Sequence, residues 1–212
     1  MEPRLRLVLR FGMDKDDRQV LDRQMQFVVE AERLKTVYRQ NMVVDGSRYE
    51  SAAEHSWHVA LMALLLVDHA RDAGIDLLAV ITMLLVHDIV EIDAGDTCIY
   101  DEAANLDKSE REREAAERIF GLLPPAQRDR LIGLWQEFEA RDSVEAKLAA
   151  ALDSMQPVVN AACAPQLYAG TNRPAMSRVV EKKRHIEDAA PALWEYTREI
   201  IRHSAAAGLY SE

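Results

Sequence analysis

The sequence predicts an all-α fold, a single globular bundle of roughly seven or eight helices. Three observations predict it. Apolar residues recur at helical spacing along most of the chain, as at Val20, Phe27, Val28, Ala31 and Leu34. Capping residues, glycines and prolines punctuate these stretches where helices start and stop. No segment alternates apolar and polar residues with β-branched enrichment, so no strand is expected.

The first helix is expected over residues 16–35. Residues 36–50, TVYRQNMVVDGSRYE, break its pattern and read as a loop. Ser51 followed by Glu54 is a capping box. It opens a helix to about Asp72, which Gly74 stops. Asp76 can cap the next helix, which Gly95 ends. Its first ten residues, Leu77 to Val86, carry one polar side chain, Thr82, so this helix belongs in the middle of the protein. Residues 97–107 read as a loop. Ser109 and Glu112 form a second capping box, for a helix to Phe120. Pro124 and Pro125 suit the first turn of another, to about Ala140. Asp142 or Ser143 caps VEAKLAAALDSMQPVVNAA, in which Pro157 is expected to make a kink. Residues 165–174 are a linker or turn, and helices at about 175–188 and 191–206 finish the chain. One domain is expected over 1–212, with its motif-bearing core at about 20–160 and the C-terminal helices, about 173–207, packing on it.

With 212 residues, 49% of them hydrophobic, the chain can bury one sizeable core. Its net charge is −10, from 36 acidic and 26 basic side chains. That balance argues against a binder of nucleic-acid polymers, because neutralising phosphates needs clustered Lys and Arg. The densest basic run, EKKRH at 181–185, reads as a solvated helix face. Cys98 and Cys163 are far apart and in no C-x-x-C pattern, which argues against a disulfide framework or a zinc ribbon. The opening MEPRLRLVLRF interleaves Arg with apolar residues and shows no signal-peptide core. No apolar run reaches the ~20 residues that a membrane helix needs. The expectation is a soluble, cytoplasmic protein with no membrane partner.

The apolar stretch ends in His87, Asp88, Glu91, Asp93 and Asp96. Ionisable groups in such a helix are costly unless something pairs with them, and a bound cation would. Adjacent residues on a helix diverge by about 100°, so His87 and Asp88 share one ion only if it sits over the edge between them. The other ligands then come from other helices. His55 is a natural third, and Asp153, embedded in LAAALDSM, a natural fourth. Two imidazoles and two carboxylates suit one divalent ion, Mn2+, Co2+, Fe2+ or Zn2+ rather than Mg2+. Such a set leaves coordination positions open, as catalysis needs. Glu91 faces the same side, at i+4 from His87 and i+3 from Asp88, either as a ligand or as a proton acceptor. Asp96, just past Gly95, can point into the same cleft. The alternative for Glu91 and Asp96 is a solvated helix terminus. Asp93 reads as an ordinary loop acid, and His69, His185 and His203 as surface residues. His58 is left without a role, and Trp57 reads as a core aromatic.

The order His55, His87-Asp88, Asp153 resembles the HD-domain metal-dependent phosphohydrolases. LKTVYR (34–39), EHSWHVA (54–60), HDIVEIDAGD (87–96) and LDSM (152–155) resemble the 5′-deoxynucleotidase-like subgroup in order and spacing. The likeness covers about residues 20–160, and H-D-x-x-E-x-x-x-x-D is its most specific part. It implies that His55, His87, Asp88 and Asp153 hold the cation. It implies that Arg39 contacts the substrate phosphate, which suits its planar fork of donors, and that Glu91 and Asp96 handle protons. The implied reaction is hydrolysis of a small phosphomonoester, a (deoxy)nucleoside 5′-monophosphate above all. A homodimer is expected from the resemblance and from the apolar content of the late helices. Gln40 stands where related sequences often carry an aromatic residue, and NMVVDGSRYESAA lengthens the segment before His55. Arg39, Arg48 and Lys108 are the basic loop residues foreseen near the cleft, few enough to favour a monophosphate. Two alternatives stay open. One is another reaction on the same scaffold, on a cyclic nucleotide, an alarmone or a nucleoside triphosphate. The other is a non-catalytic, metal-stabilised binding protein.

Overall fold

A computed structural model of the protein describes residues 14–165 and 174–211. Among these residues the chain is helical, with eight helices of eight residues or more and two of a single turn. Helix α1 spans Lys15–Ala31 and tightens into a 3-10 segment, Glu32–Thr36. Helix α2 spans Ala52–Leu66. The Ser51 capping box forms as expected: Ser51 Oγ accepts from Glu54 N at 3.3 Å, and Glu54 Oε2 accepts from Ser51 N at 3.0 Å. The helix does not reach Asp72. A 3-10 turn, Val67–His69, follows it, and Arg71 N then donates to Ala189 O at 2.8 Å, which ties the chain to the C-terminal helices instead.

Residues 36–50 are more than a loop. Tyr38–Met42 (β1) and Tyr49–Ser51 (β2) pair as an antiparallel hairpin, Tyr38 opposite Ser51 and Met42 opposite Tyr49. Alternation is absent from the sequence because β1 is mostly polar. The signal lies in the turn. Asp45 Oδ1 accepts from Ser47 N at 2.9 Å, and Gly46 takes φ 73°, a left-handed conformation that glycine adopts without strain. An Asp-Gly pair is a hairpin mark in its own right.

Helix α3 spans Leu77–Val86 and is capped by Asp76, whose Oδ1 accepts from Ala79 N at 3.1 Å. The α-helical winding does not continue to Gly95. His87–Val90 form a 3-10 turn, and α4, Glu91–Ala94, completes the segment. Helix α5 spans Lys108–Phe120, so Ser109 lies inside it and caps nothing. Glu112 pairs with the Lys108 side chain, Nζ at 3.4 Å, one turn back in the same helix. Helix α6, Pro125–Ala140, begins on its proline as expected. Helix α7, Val144–Cys163, is capped by Ser143, whose Oγ accepts from Ala146 N at 3.1 Å, and it runs on past Pro157. The helix expected at 175–188 is two pieces, α8 (Met176–Lys183) and α9 (Ile186–Ala189), and α10 is Pro191–Ala206. The linker at 165–174 falls, for 166–173, outside the described residues, as does the opening segment.

Helix α7 is the central element and packs against α2, α3, α6, α9 and α10. Its run Leu148–Leu152 is buried, with three alanines that let neighbouring helices come close. Burying Leu148 and Leu152 contributes roughly 1.5–3 kcal/mol each and fixes the rotation of α7. A second cluster gathers Leu34, Val86, Ile89, Val90, Ile119, Phe120 and Trp135. The His87–Val90 turn is thus anchored in this cluster by Ile89 and Val90, while α3 before it is held in the main core by Met83 and Leu84.

Helix α3 is not buried all round. Leu78 is 66% exposed and Leu85 is also exposed, beside exposed Leu61, Leu64 and Leu65 of α2, with which α3 packs. Trp57 is no core aromatic either: it is 63% exposed and stacks on His58. Among the described residues, Tyr196 is the large exposed hydrophobic of the late helices. No helix there is long and apolar enough to cross a membrane.

Candidate metal centre

The capping box fixes where α2 starts and so puts His55 in its first turn, fully buried. Asp153 follows the buried run of α7 and meets it: His55 Nε2 lies 2.8 Å from Asp153 Oδ1. His87 arrives from the 3-10 turn. Its Nδ1–H donates to Leu84 O at 2.9 Å, which turns Nε2 toward the centre. That Nε2 is 3.7 Å from Asp153 Oδ1. One ligand atom from each of His55, His87 and Asp153 lies within 4.8 Å of the others.

Asp88 lies beside this triad. Its Oδ1 is 3.0 Å from His87 Nε2, and its Oδ2 accepts from Arg39 Nη1 at 3.0 Å. A 3-10 turn sets neighbouring side chains about 120° apart rather than 100°, yet the two side chains still converge. Arg39 comes from β1, and its Nη1 also stands 3.7 Å from Asp96 Oδ1. Asp96 follows Gly95, whose φ of 75° turns the chain back toward the site. Glu91 is buried, and its Oε2 has no hydrogen-bond partner. The structure therefore brings all seven residues to one place, with His55, His87 and Asp153 as the tightest group. The remaining acid, Asp93, is exposed and takes Arg118 Nη2 at 2.9 Å.

The carboxyls divide into two kinds. Burial pushes Asp88 and Asp153 up, but charges and hydrogen bonds outweigh it and hold both well below the usual range. His87 and Arg39 do this at Asp88, and His55 and His87 at Asp153. Burial also raises Glu91, and there the charge of Asp88 adds to it, so Glu91 lies well above its ordinary value. Asp96 is raised by burial despite Arg39. For Arg39, burial opposes the charge, and the surrounding carboxylates, Asp88 first, hold its pKa above the ordinary value.

The donor set fits a divalent cation. His87 Nε2 is buried, close to two carboxylates, and makes no hydrogen bond. Two ionised carboxylates and two imidazole nitrogens in such proximity offer what a first-row transition ion takes.

A cavity of about 770 Å³ adjoins the centre at Asp96 and Gln40, lined further by Thr97, Cys98, Tyr100 and Arg178. Arg178 of α8 is a base the sequence reading did not single out. It lies over the Tyr100 ring at 5.6 Å and pairs with Glu102. Arg48 and Lys108 are engaged elsewhere, with Glu54 and Glu112. Sequence reasoning also missed Glu50, Gln156 and Asn160, all buried behind His55. Gln156 was within reach, three residues after Asp153 on the same helical face. The EKKRH run is only partly solvated: Lys183 is 7% exposed, and burial lowers its pKa to about 8.

Residues 31–194 match the family described as HD domain. The chain belongs to the HD-domain family. A relative from Danio rerio named 5′-deoxynucleotidase HDDC2 is 30% identical over 190 residues, covering 89% of this chain and 93% of that protein. The Homo sapiens protein of the same name is 33% identical over 138 residues, covering 65% of this chain and 66% of its own. A crystal structure from Magnetospirillum magnetotacticum, described as a predicted metal-dependent phosphohydrolase, is 42% identical with a TM-score of 0.88. That match covers 94% of this chain and 100% of the other.

Proposed function

We propose that the protein is a metal-dependent phosphohydrolase that removes phosphate from a small phosphomonoester, a (deoxy)nucleoside 5′-monophosphate. The observation that carries this is the cluster of buried His55 and His87 with half-buried Asp153, beside Arg39 and with a 770 Å³ cleft at its edge. The names of the relatives support the nucleotide. His55, His87, Asp88 and Asp153 hold the cation, Mn2+, Co2+, Fe2+ or Zn2+ in preference to Mg2+. When bound, it supplies a Lewis acid for a phosphate oxygen and acidifies water.

The chain's own groups do the rest. Arg39, set between Asp88 and Asp96, offers its guanidinium to the equatorial phosphate oxygens and stabilises charge there. Carboxyls whose environments push their pKa values apart sort into roles. The depressed pair, Asp88 and Asp153, serve as ligands, and the raised pair, Glu91 and Asp96, exchange protons, Glu91 as the base in its ionised form and Asp96 as the acid. Glu91 takes a proton at its free Oε2 from the attacking water as oxygen bonds to phosphorus. Asp96 lines the cleft that receives the rest of the ester, and donates its proton to the leaving oxygen as the P–O bond breaks. Gln40, directly after Arg39, faces the same cleft, where the sugar lies.

The whole chain acts as one HD domain, with α8 and α10 closing over α7. The protein works as a homodimer in the cytoplasm. The exposed apolar residues of α2 and α3 favour that face for the contact over the late helices, and two free cysteines suit a reducing compartment. The test is phosphate release from a panel of nucleoside mono-, cyclic and triphosphates by metal-stripped protein reloaded with each ion. Turnover of 5′-monophosphates is expected. A folded, metal-loaded protein silent on every phosphoester would leave a binding protein as the reading, and turnover confined to cyclic or polyphosphate substrates would move the reaction class.

A further inference from the structure

We infer that Glu50 and Gln156 are positioning residues that lock His55 in the tautomer with its lone pair on Nε2, facing the metal centre. This rests on the metal reading above. His55 Nδ1 lies 3.1 Å from Gln156 Oε1, and the two residues are fully buried. An amide side chain can present either oxygen or nitrogen to a ring, so Gln156 alone decides nothing. Its other contacts decide. Gln156 Nε2 donates to Glu50 Oε1 at 2.7 Å and to His58 Nδ1 at 3.2 Å. A carboxylate only accepts, so the NH2 group must face Glu50. The carbonyl oxygen is then left for His55, and an oxygen there requires Nδ1 to carry the hydrogen. Nε2 is then the nitrogen left to face the metal centre, where it stands 2.8 Å from Asp153 Oδ1.

The flipped amide is excluded by the same partners. It would set Gln156 Oε1 against the Glu50 carboxylate and the ring nitrogen of His58. Asn160 Nδ2 donates to the same Glu50 oxygen at 3.3 Å and holds the carboxylate in place. Glu50 comes from β2, Gln156 and Asn160 from α7 and His55 from α2, so three elements share the lock. Glu50 Oε2 is buried without a hydrogen-bond partner and sits 3.8 Å from His55 Nδ1, on the side where a hydrogen on that nitrogen is favoured electrostatically. Groups that orient a metal-binding histidine from behind are typically worth about 10–100-fold in metal affinity.

The test uses the full chain and two variants, Glu50→Gln and the swap Glu50→Gln with Gln156→Glu. The first makes the pair of amides degenerate, so either orientation is allowed. The swap puts the acceptor-only group directly against His55, so Nδ1 must again carry the hydrogen, while the bond between positions 50 and 156 runs the other way, from the amide of residue 50 to the carboxylate of residue 156. Zn2+ affinity is read by competition with a chelating dye. The imidazole N–H of His55 is followed by its protection from exchange in NMR, in metal-free and Zn2+-loaded protein. Thermal unfolding of the metal-free protein reports on the fold. Glu50→Gln should weaken Zn2+ binding about tenfold or more and expose the N–H to exchange, and the swap should recover most of both. A merely structural role would follow the unfolding temperature and would not be rescued by the swap. Zn2+ affinity of Glu50→Gln within about twofold of the parent, or a swap no better than that single variant, overturns the lock. A parent chain that binds none of Zn2+, Mn2+ or Co2+ overturns the metal reading instead, and the metal-free N–H signal still judges the lock.

Discussion

Replacing Lys183 with Met should make the protein more stable at neutral pH. Lys183 ends α8, is 7% exposed, and has its pKa brought down from 10.5 to about 8 by burial, with Arg39 and Arg141 adding to burial and Asp153 opposing it. The difference of about 2.5 units corresponds to roughly 3 kcal/mol. An unfolded chain keeps the proton up to about 10.5, whereas the folded protein releases it near 8. Between those values the unfolded state binds more protons, so stability climbs as pH rises through that window. Below about 8 the full cost of a buried ammonium is present. Met has a similar length and no charge to bury. Urea unfolding of metal-free protein at about pH 7 and about pH 9.5 measures both arms. The variant should lead by roughly 2–3 kcal/mol at the lower pH, and its lead should shrink by about half at the higher. A variant less stable than the parent at neutral pH, or a lead that does not change with pH, would refute the reasoning.

Three further outcomes are expected. Glu91→Gln, which has the shape of the protonated carboxyl, should keep metal content and unfolding temperature while lowering kcat about 10²–10⁴-fold in a phosphate-release assay; an unchanged kcat removes Glu91 from the proton path. Asp153→Asn should lose the bound ion by elemental analysis and nearly all hydrolysis, and chelation of the parent should do the same until Mn2+ or Co2+ is returned. Leu64→Asp with Leu78→Asp should convert a dimer into a species of 24.0 kDa by light scattering, and a parent already at that mass contradicts the α2–α3 contact.

The helical fold was legible because most of its segments follow a period set by α-helical geometry, and because Ser51, Asp76, Ser143 and Pro125 act locally at helix starts. The cluster around His87 was legible for a different reason. Charge inside an apolar run demands a partner, and the residue types that can supply one are few. The hairpin escaped because β1 exposes polar side chains and owes its pairing to a turn rather than to a buried face. The 3-10 turn at His87–Val90 has no signature in composition; Ile89 and Val90 pack into the cluster around Phe120 and Trp135, which gathers residues distant in the chain. Lys183 and Glu50 could not be placed for a related reason. Burial of a charged residue is decided by other elements of the chain, α7 for Glu50 and α10 together with α7 for Lys183.

The small sheet has a consequence for which mutations the site tolerates. Its first strand delivers Arg39 to the phosphate side, and its second delivers Glu50 to the back of His55. Because side chains alternate along a strand, a one-residue slip of either strand would turn its own residue away. Insertions at the Asp45–Gly46 tip should therefore be harmless to turnover, whereas a single insertion within β1 should remove anion recognition and one within β2 should remove imidazole support. In a molecule built almost wholly of helices, two short extended segments set the alignment on which both depend.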